Sequence, residues 1–101
     1  MDTVAKSKRG EDRTQMKIRV DLRSLDIRTP SQVGVTDNIS SRGARVLTTS
    51  PWKPNDRLNV ISLLGRLKSR ARVIYCEPTS GGLFAVGLQL YACAGAWKLP
   101  A

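Results

Sequence analysis

An all-β fold is what the sequence predicts: an antiparallel barrel or sandwich of about six short strands. Three observations carry this expectation. From Met16 onward, apolar and polar residues alternate with the period of two that marks half-buried strands. Clusters of Gly, Pro, Asn and Asp cut the chain into pieces of strand length. No heptad, sequence repeat or long amphipathic helix competes. The 101 residues fit one domain, and a hydrophobic content of 41% with only five aromatics predicts a largely aliphatic core.

Residues 1–14 carry many charges and no hydrophobic period, and read as a flexible basic arm. The barrel is expected over 15–91. Met16, Ile18, Val20 and Leu22 alternate with Lys17, Arg19 and Asp21 in a first strand, and "RSLDIRTPSQ" turns at Pro30. "VGVT" begins a second strand, which "DNISSRG" interrupts as a turn before "ARVLTT". Pro51, Pro54, Asn55 and Asp56 bracket a loop. "RLNVISLLG" follows, with Leu58, Val60 and Ser62 on one face, and then "LKSRARVIYC". "EPTSGG" is a strong turn signal, and "LFAVGLQLY" is the last clear strand. Residues 92–101 form a tail read as one helical turn or coil, since its alanines favour helix while Gly95 and Pro100 limit its length.

Charge and composition narrow the function. Seventeen Lys and Arg against eight acidic residues give a net charge of +9, which draws anionic partners. There is no histidine, so the usual general base and the commonest metal ligand are missing, and an enzyme is the least favoured class. Cys76 and Cys93 form no CxxC pair, and Cys76, in an apolar run, reads as a buried thiol. The polar start of the chain lacks the apolar stretch of a secretory signal, and no run approaches a membrane span. A cytoplasmic protein without metal or cofactor is the expectation.

Two clusters stand out. In "TDNISSRGARV", Asn38 offers an amide that donates and accepts, Ser40 a hydroxyl, and Gly43 a backbone free to approach closely or take positive φ. Spaced Asn-x-Ser-x-x-Gly, they could meet the edge of a guanine, whose N1–H and N2–H₂ donate side by side; Asx and Ser/Thr turns use the same residues for their own backbone. Upstream, "KRGEDRTQ" holds Arg9 and Arg13 at the spacing Arg-x-x-x-Arg, preceded by Lys8. Two guanidinium forks suit phosphate or the O6 and N7 of guanine, although charge runs in tails are usually solvated.

An Arg-x-x-x-Arg pair followed about one hairpin later by Asp/Asn-x-Ser-x-x-Gly, in a domain of this size, resembles the PilZ family. These domains are bacterial receptors for the second messenger cyclic di-GMP. The resemblance runs from about Lys8 to Leu90; "ARVIYC" is similar to the family's penultimate strand and "AVGLQL" to its closing one. It implies a six-stranded antiparallel β-barrel of the split-barrel type. A second pair at this spacing, Arg19 and Arg23, is set aside because the family's second arginine stands just before the first strand, as Arg13 does.

By resemblance, Arg9 and Arg13 grip the phosphates and guanine Hoogsteen edges, Asn38 and Ser40 meet the guanine from the barrel, and Gly43 permits the turn. Tyr75 matches a position where relatives often carry a base-stacking aromatic, and equally reads as a surface or core tyrosine. Arg42 and Arg45 read as solvated. Asn38 stands where relatives often have Asp, and adjacent Asp37, one position out of register, is expected to point elsewhere. The basic Lys8 leans towards a stacked cyclic di-GMP dimer. The implied mechanism is an arm that orders over the ligand and makes a surface for a downstream protein. Two alternatives remain: a ligand-independent adaptor using the same barrel, and a basic nucleic-acid-binding β-barrel. The latter is disfavoured because aromatics are scarce on the strands.

Overall fold

A computed structural model describes residues 15–25, 31–62, 67–95 and 97. It contains six strands: β1 (Arg19–Ser24), β2 (Gln32–Ile39), β3 (Gly43–Thr48), β4 (Arg57–Ser62), β5 (Lys68–Pro78) and β6 (Phe84–Ala94). All pairings are antiparallel, and the strands close in the order β1-β2-β3-β6-β5-β4. Two three-stranded meanders, β1–β3 and β4–β6, are therefore joined along both seams, β1 to β4 and β3 to β6. Helix is absent from the described residues. None there is long and apolar enough to cross a membrane.

Alternation dictates what fills the barrel. Val20 and Leu22 of β1, Val46 of β3, Leu58 and Val60 of β4, Ala71 and Val73 of β5, and Val86, Leu88 and Leu90 of β6 point inward. Ser62 shares the inward face with Leu58 and Val60, as expected from the sequence. Ile18, Ile39 and Trp52 close the ends of this core. The loop between β3 and β4 docks on β5: Asn55 N–H donates to the Val73 carbonyl at 2.8 Å, and Val73 N–H donates to that of Asp56 at 2.9 Å. Asn55 takes φ of 74°, a left-handed conformation that Asn tolerates well. Cys76 is half-buried, and its sulfur accepts the Trp52 N–H at 3.5 Å.

Three boundaries differ from the sequence reading. Strand pairing starts at Arg19 rather than Met16; residues 16–18 are held by Thr36, whose N–H donates to the Ile18 carbonyl at 2.9 Å and whose side chain makes two further bonds. Thr36, fully buried on β2, accepts the Ile18 N–H at 2.9 Å through Oγ1 and donates the same hydroxyl to the Met16 carbonyl at 2.6 Å. Second, "DNI" is not a turn: β2 runs through it to Ile39, and the turn occupies 40–42. Third, β6 continues to Ala94, so the tail's first three residues are strand. Continued cross-strand pairing with β5 outweighs the weak helix preference of three residues. Residues 1–14, and with them the arm, lie outside the described residues.

The Thr36 hydroxyl fixes the backbone at Met16 and Ile18. Thr36→Val keeps the side chain's shape but strands two backbone groups, each unmade bond costing about 1–3 kcal/mol. The variant is expected to lose at least that much unfolding free energy, seen as a lower urea midpoint with an unchanged denaturant slope. An unshifted midpoint would show that the anchor does not form.

Candidate functional site

Two β-bulges build the site. Along β2, Gly34 and Thr36 face inward, so Asn38 would also face inward if alternation held. The pairing instead steps from Thr36↔Val46 to Asn38↔Arg45, two residues on β2 against one on β3. The extra residue is Asp37, and it turns Asn38 to the outside. On β5 the same device recurs. Val73 pairs with inward Leu88, but the next partners are Tyr75 and Gly87, leaving Ile74 as the extra residue and Tyr75 outside.

Both bulges act on one row. Asn38 is opposite Arg45, Arg45 opposite Gly87, and Gly87 opposite Tyr75, so one line of outward positions crosses β2, β3, β6 and β5. Three strand spacings make this row about 14 Å long. Gly87 is there because its place is taken: a Cβ would overlap the Tyr75 ring, which lies against the backbone. Tyr75 keeps 36% exposure, so one face of the ring rests on β6 and the rest is open. Tyr75 is therefore a surface and not a core tyrosine, with a ring face open to solvent.

Asp37 corrects the expectation that it points elsewhere. Its Oδ2 lies 2.7 Å from Arg45 Nη1, which brings the carboxylate to the outer row. Alternation already sends Asp37 outward after inward Thr36, and the bulge brings Asn38 to that same side, so the two neighbours no longer point apart. Its other oxygen, Oδ1, is buried without a hydrogen-bond partner, an unsatisfied acceptor beside Asn38. Arg45 is thus neither simply solvated nor free. It is paired, half-exposed, and central to the row. Arg42, by contrast, is exposed as expected.

Ser40 and Gly43 belong to the hairpin turn next to the row. Ser40 is 4% exposed; its N–H donates to the Gly43 carbonyl at 2.9 Å, and its Oγ accepts the Arg42 N–H at 3.3 Å. The indole Nε1 of Trp97 donates to the Ser40 carbonyl at 2.9 Å, and the ring packs on the core. Gly43 does not take positive φ. It is needed for close approach, since a Cβ would sit 2.9 Å from the Leu88 carbonyl oxygen of β6. So Asn38 and Tyr75 share the row with Arg45 and Asp37, while Ser40 and Gly43 shape its edge. Lys8, Arg9 and Arg13 lie outside the described residues. Arg19 and Arg23 stand within β1, and Arg23 is engaged by Asp21 at 2.8 Å.

The sequence reading missed Asp37 and Arg45 as members of the row. A cation and an anion eight residues apart across a predicted hairpin were the available signal.

Among family models, one described as PilZ domain matches residues 7–92. No curated protein and no solved structure matches the chain.

Filling the seat under Tyr75 must expel the ring. Gly87→Ala is expected to shift the Tyr75 ring resonances strongly in nuclear magnetic resonance spectra. Overpacking typically costs about 1–3 kcal/mol, and an exposed ring that can swing away keeps the loss near the lower end. Unmoved ring signals would contradict the packing described.

Proposed function

The chain belongs to the PilZ domain family, a family of cyclic di-GMP receptors rather than enzymes, and from that premise we propose that it binds cyclic di-GMP across the row of Asn38, Arg45 and Tyr75. One observation carries the reading: two separate bulges turn an amide and an aromatic outward onto the same cross-strand row, next to the point where the N-terminal arm is anchored.

The chemistry of the row suits a guanine. The Asn38 amide and the Asp37 carboxylate supply acceptors for N1–H and N2–H₂, and the charged acceptor makes up for Asn38 standing where relatives often have Asp. The Tyr75 ring offers a face for stacking, worth about 1–3 kcal/mol per base. Ser40 and Gly43 hold the turn in place, and Ser40 Oγ becomes available to the ligand when Arg42 N–H releases it.

Arg9 and Arg13 supply the phosphate grip, with Lys8 favouring a second, stacked ligand. Their tether makes this feasible. Met16 is fixed on Thr36, beside Asp37. Arg13 is three residues away and Arg9 seven, so the backbone limits them to about 11 Å and 25 Å from that point. The row is shorter than the longer reach. Fixing each arm residue costs about 1–2 kcal/mol of backbone entropy, while a hydrogen bond to a charged group contributes about 1.5–3 kcal/mol. The balance is close, so losing one arginine removes most of the affinity. Closing the arm changes the surface next to the row, and that new surface is what a downstream protein reads.

Calorimetric titration with cyclic di-GMP is expected to show micromolar or tighter binding. Arg13→Ala and Asn38→Ala should each abolish the heat, and Tyr75→Ala should weaken binding about 5- to 150-fold, the equivalent of one lost stack. Unaltered thermal unfolding in the variants would separate lost contacts from lost fold. Wild-type heat no different from buffer dilution would refute the proposal.

A further inference from the structure

A second charged surface lies apart from the ligand row, on the outer face of β4 and β5. Arg57, Lys68, Arg70 and Arg72 all point outward there, with Arg57 directly opposite Arg72 and Arg70 opposite Asn59. Among the described residues, no carboxylate pairs with any of the four. Like charges placed directly opposite destabilise a sheet.

Arg72 is held, but not neutralised. Its Nη2 donates to Gln89 Oε1 at 2.9 Å and its Nη1 to Asn55 Oδ1 at 3.3 Å. Two neutral amides fix the guanidinium and leave its charge available. The neighbouring row extends the surface on both sides: Arg23 is opposite Asn59, Asn59 opposite Arg70, and Arg70 opposite Tyr91. Tyr91 is 37% exposed. The acids at this margin are Asp21, engaged with Arg23, and Asp56, whose Oδ2 accepts the Lys53 N–H at 2.8 Å.

We propose that this face binds single-stranded nucleic acid, with phosphates along β5 and a base against Tyr91. Alternate residues of a strand are about 6.7 Å apart, so Lys68, Arg70 and Arg72 form a straight line of cations, the complement of an extended polyanion. Guanidinium forks match phosphate, a tyrosine ring stacks on any base, and the amides of Asn59 and Gln89 can meet base edges. An acidic peptide or an anionic membrane would use the cations but not the ring and amides beside them. Few aromatics fall on the strands, yet the barrel order sets one of them in register with the arginine line. This function is additional to cyclic di-GMP binding and does not depend on it.

Fluorescence anisotropy of the whole chain with labelled twelve-residue oligo(dT) and oligo(U), over a series of salt concentrations, tests the proposal. An Arg70→Gln, Arg72→Gln double variant is expected to bind at least tenfold more weakly. Its log–log salt slope should be shallower by about 1.4, the loss of two single-strand phosphate contacts. Tyr91→Ala should weaken binding about 5- to 150-fold with the slope unchanged. The single-charge control Lys17→Gln, before β1 and away from β5, should change affinity less than twofold, where Arg70→Gln alone weakens it measurably. Equal weakening in the control would reduce the effect to net charge and overturn the proposal. So would polyglutamate or phosphatidylglycerol vesicles binding as tightly as the oligonucleotide, or no oligonucleotide binding at low salt. The Arg70, Arg72 variant should retain the calorimetric heat of cyclic di-GMP, so failure here is read independently of failure there.

Discussion

A β-strand shows its side chains to alternate faces, and every later residue inherits the parity of the earlier ones. Inserting a single unpaired residue reverses that inheritance. In this barrel the reversal happens at Asp37 and again at Ile74, on the two strands that flank the β3–β6 pair. Without the first, Asn38 would be an amide buried in an aliphatic core, at a desolvation cost of about 1–3 kcal/mol on mutational scales. Without the second, the Tyr75 ring would compete for space with Val73 and Val86. The outer row, its tyrosine seat and the Asp37–Arg45 pair all follow from these two extra residues.

Much of the barrel was legible in the sequence. Alternation at Val20 and Leu22, at Leu58, Val60 and Ser62, and at Val86, Leu88 and Leu90 marks inward faces, because each of those runs keeps its parity. Punctuation at Pro51 to Asp56 and at Thr79 to Gly82 marks connections, because those residues reach turn conformations cheaply. The motif residues Asn38, Ser40 and Gly43 were legible as a spacing. What the spacing did not reveal was orientation. "DNISS" has the composition of a turn, and its first three residues are strand. A bulge has no composition of its own, so whether Tyr75 faced the core or the solvent depended on a residue count that only the pairing supplies. Arg45 and Asp37 were hidden for the same reason.

Small polar side chains do much of the work at the barrel's ends. Thr36 replaces a missing strand turn by bonding two backbone groups of residues 16–18 with one hydroxyl. Ser40 orders the hairpin, and its carbonyl is capped by Trp97 from 57 residues away. Ser69 Oγ donates to the Tyr91 carbonyl at 2.9 Å, where Ala92 adopts positive φ and the β5–β6 register slips. In each case a buried hydroxyl or carbonyl is satisfied locally, which lets the backbone depart from regular pairing without an orphaned group. The departures then bring Met16 against Thr36 and Trp97 against Ser40, around the β2–β3 hairpin.

Closure of the barrel has a consequence for how other molecules can recognise it. Among the described residues the β1–β4 and β3–β6 seams give every strand a neighbour on both sides over its central residues, so a visiting peptide finds no full-length open edge to extend. Recognition is then written mainly in side chains. The outer positions can therefore drift in evolution, rewriting whom the domain talks to, while the aliphatic interior stays as it is.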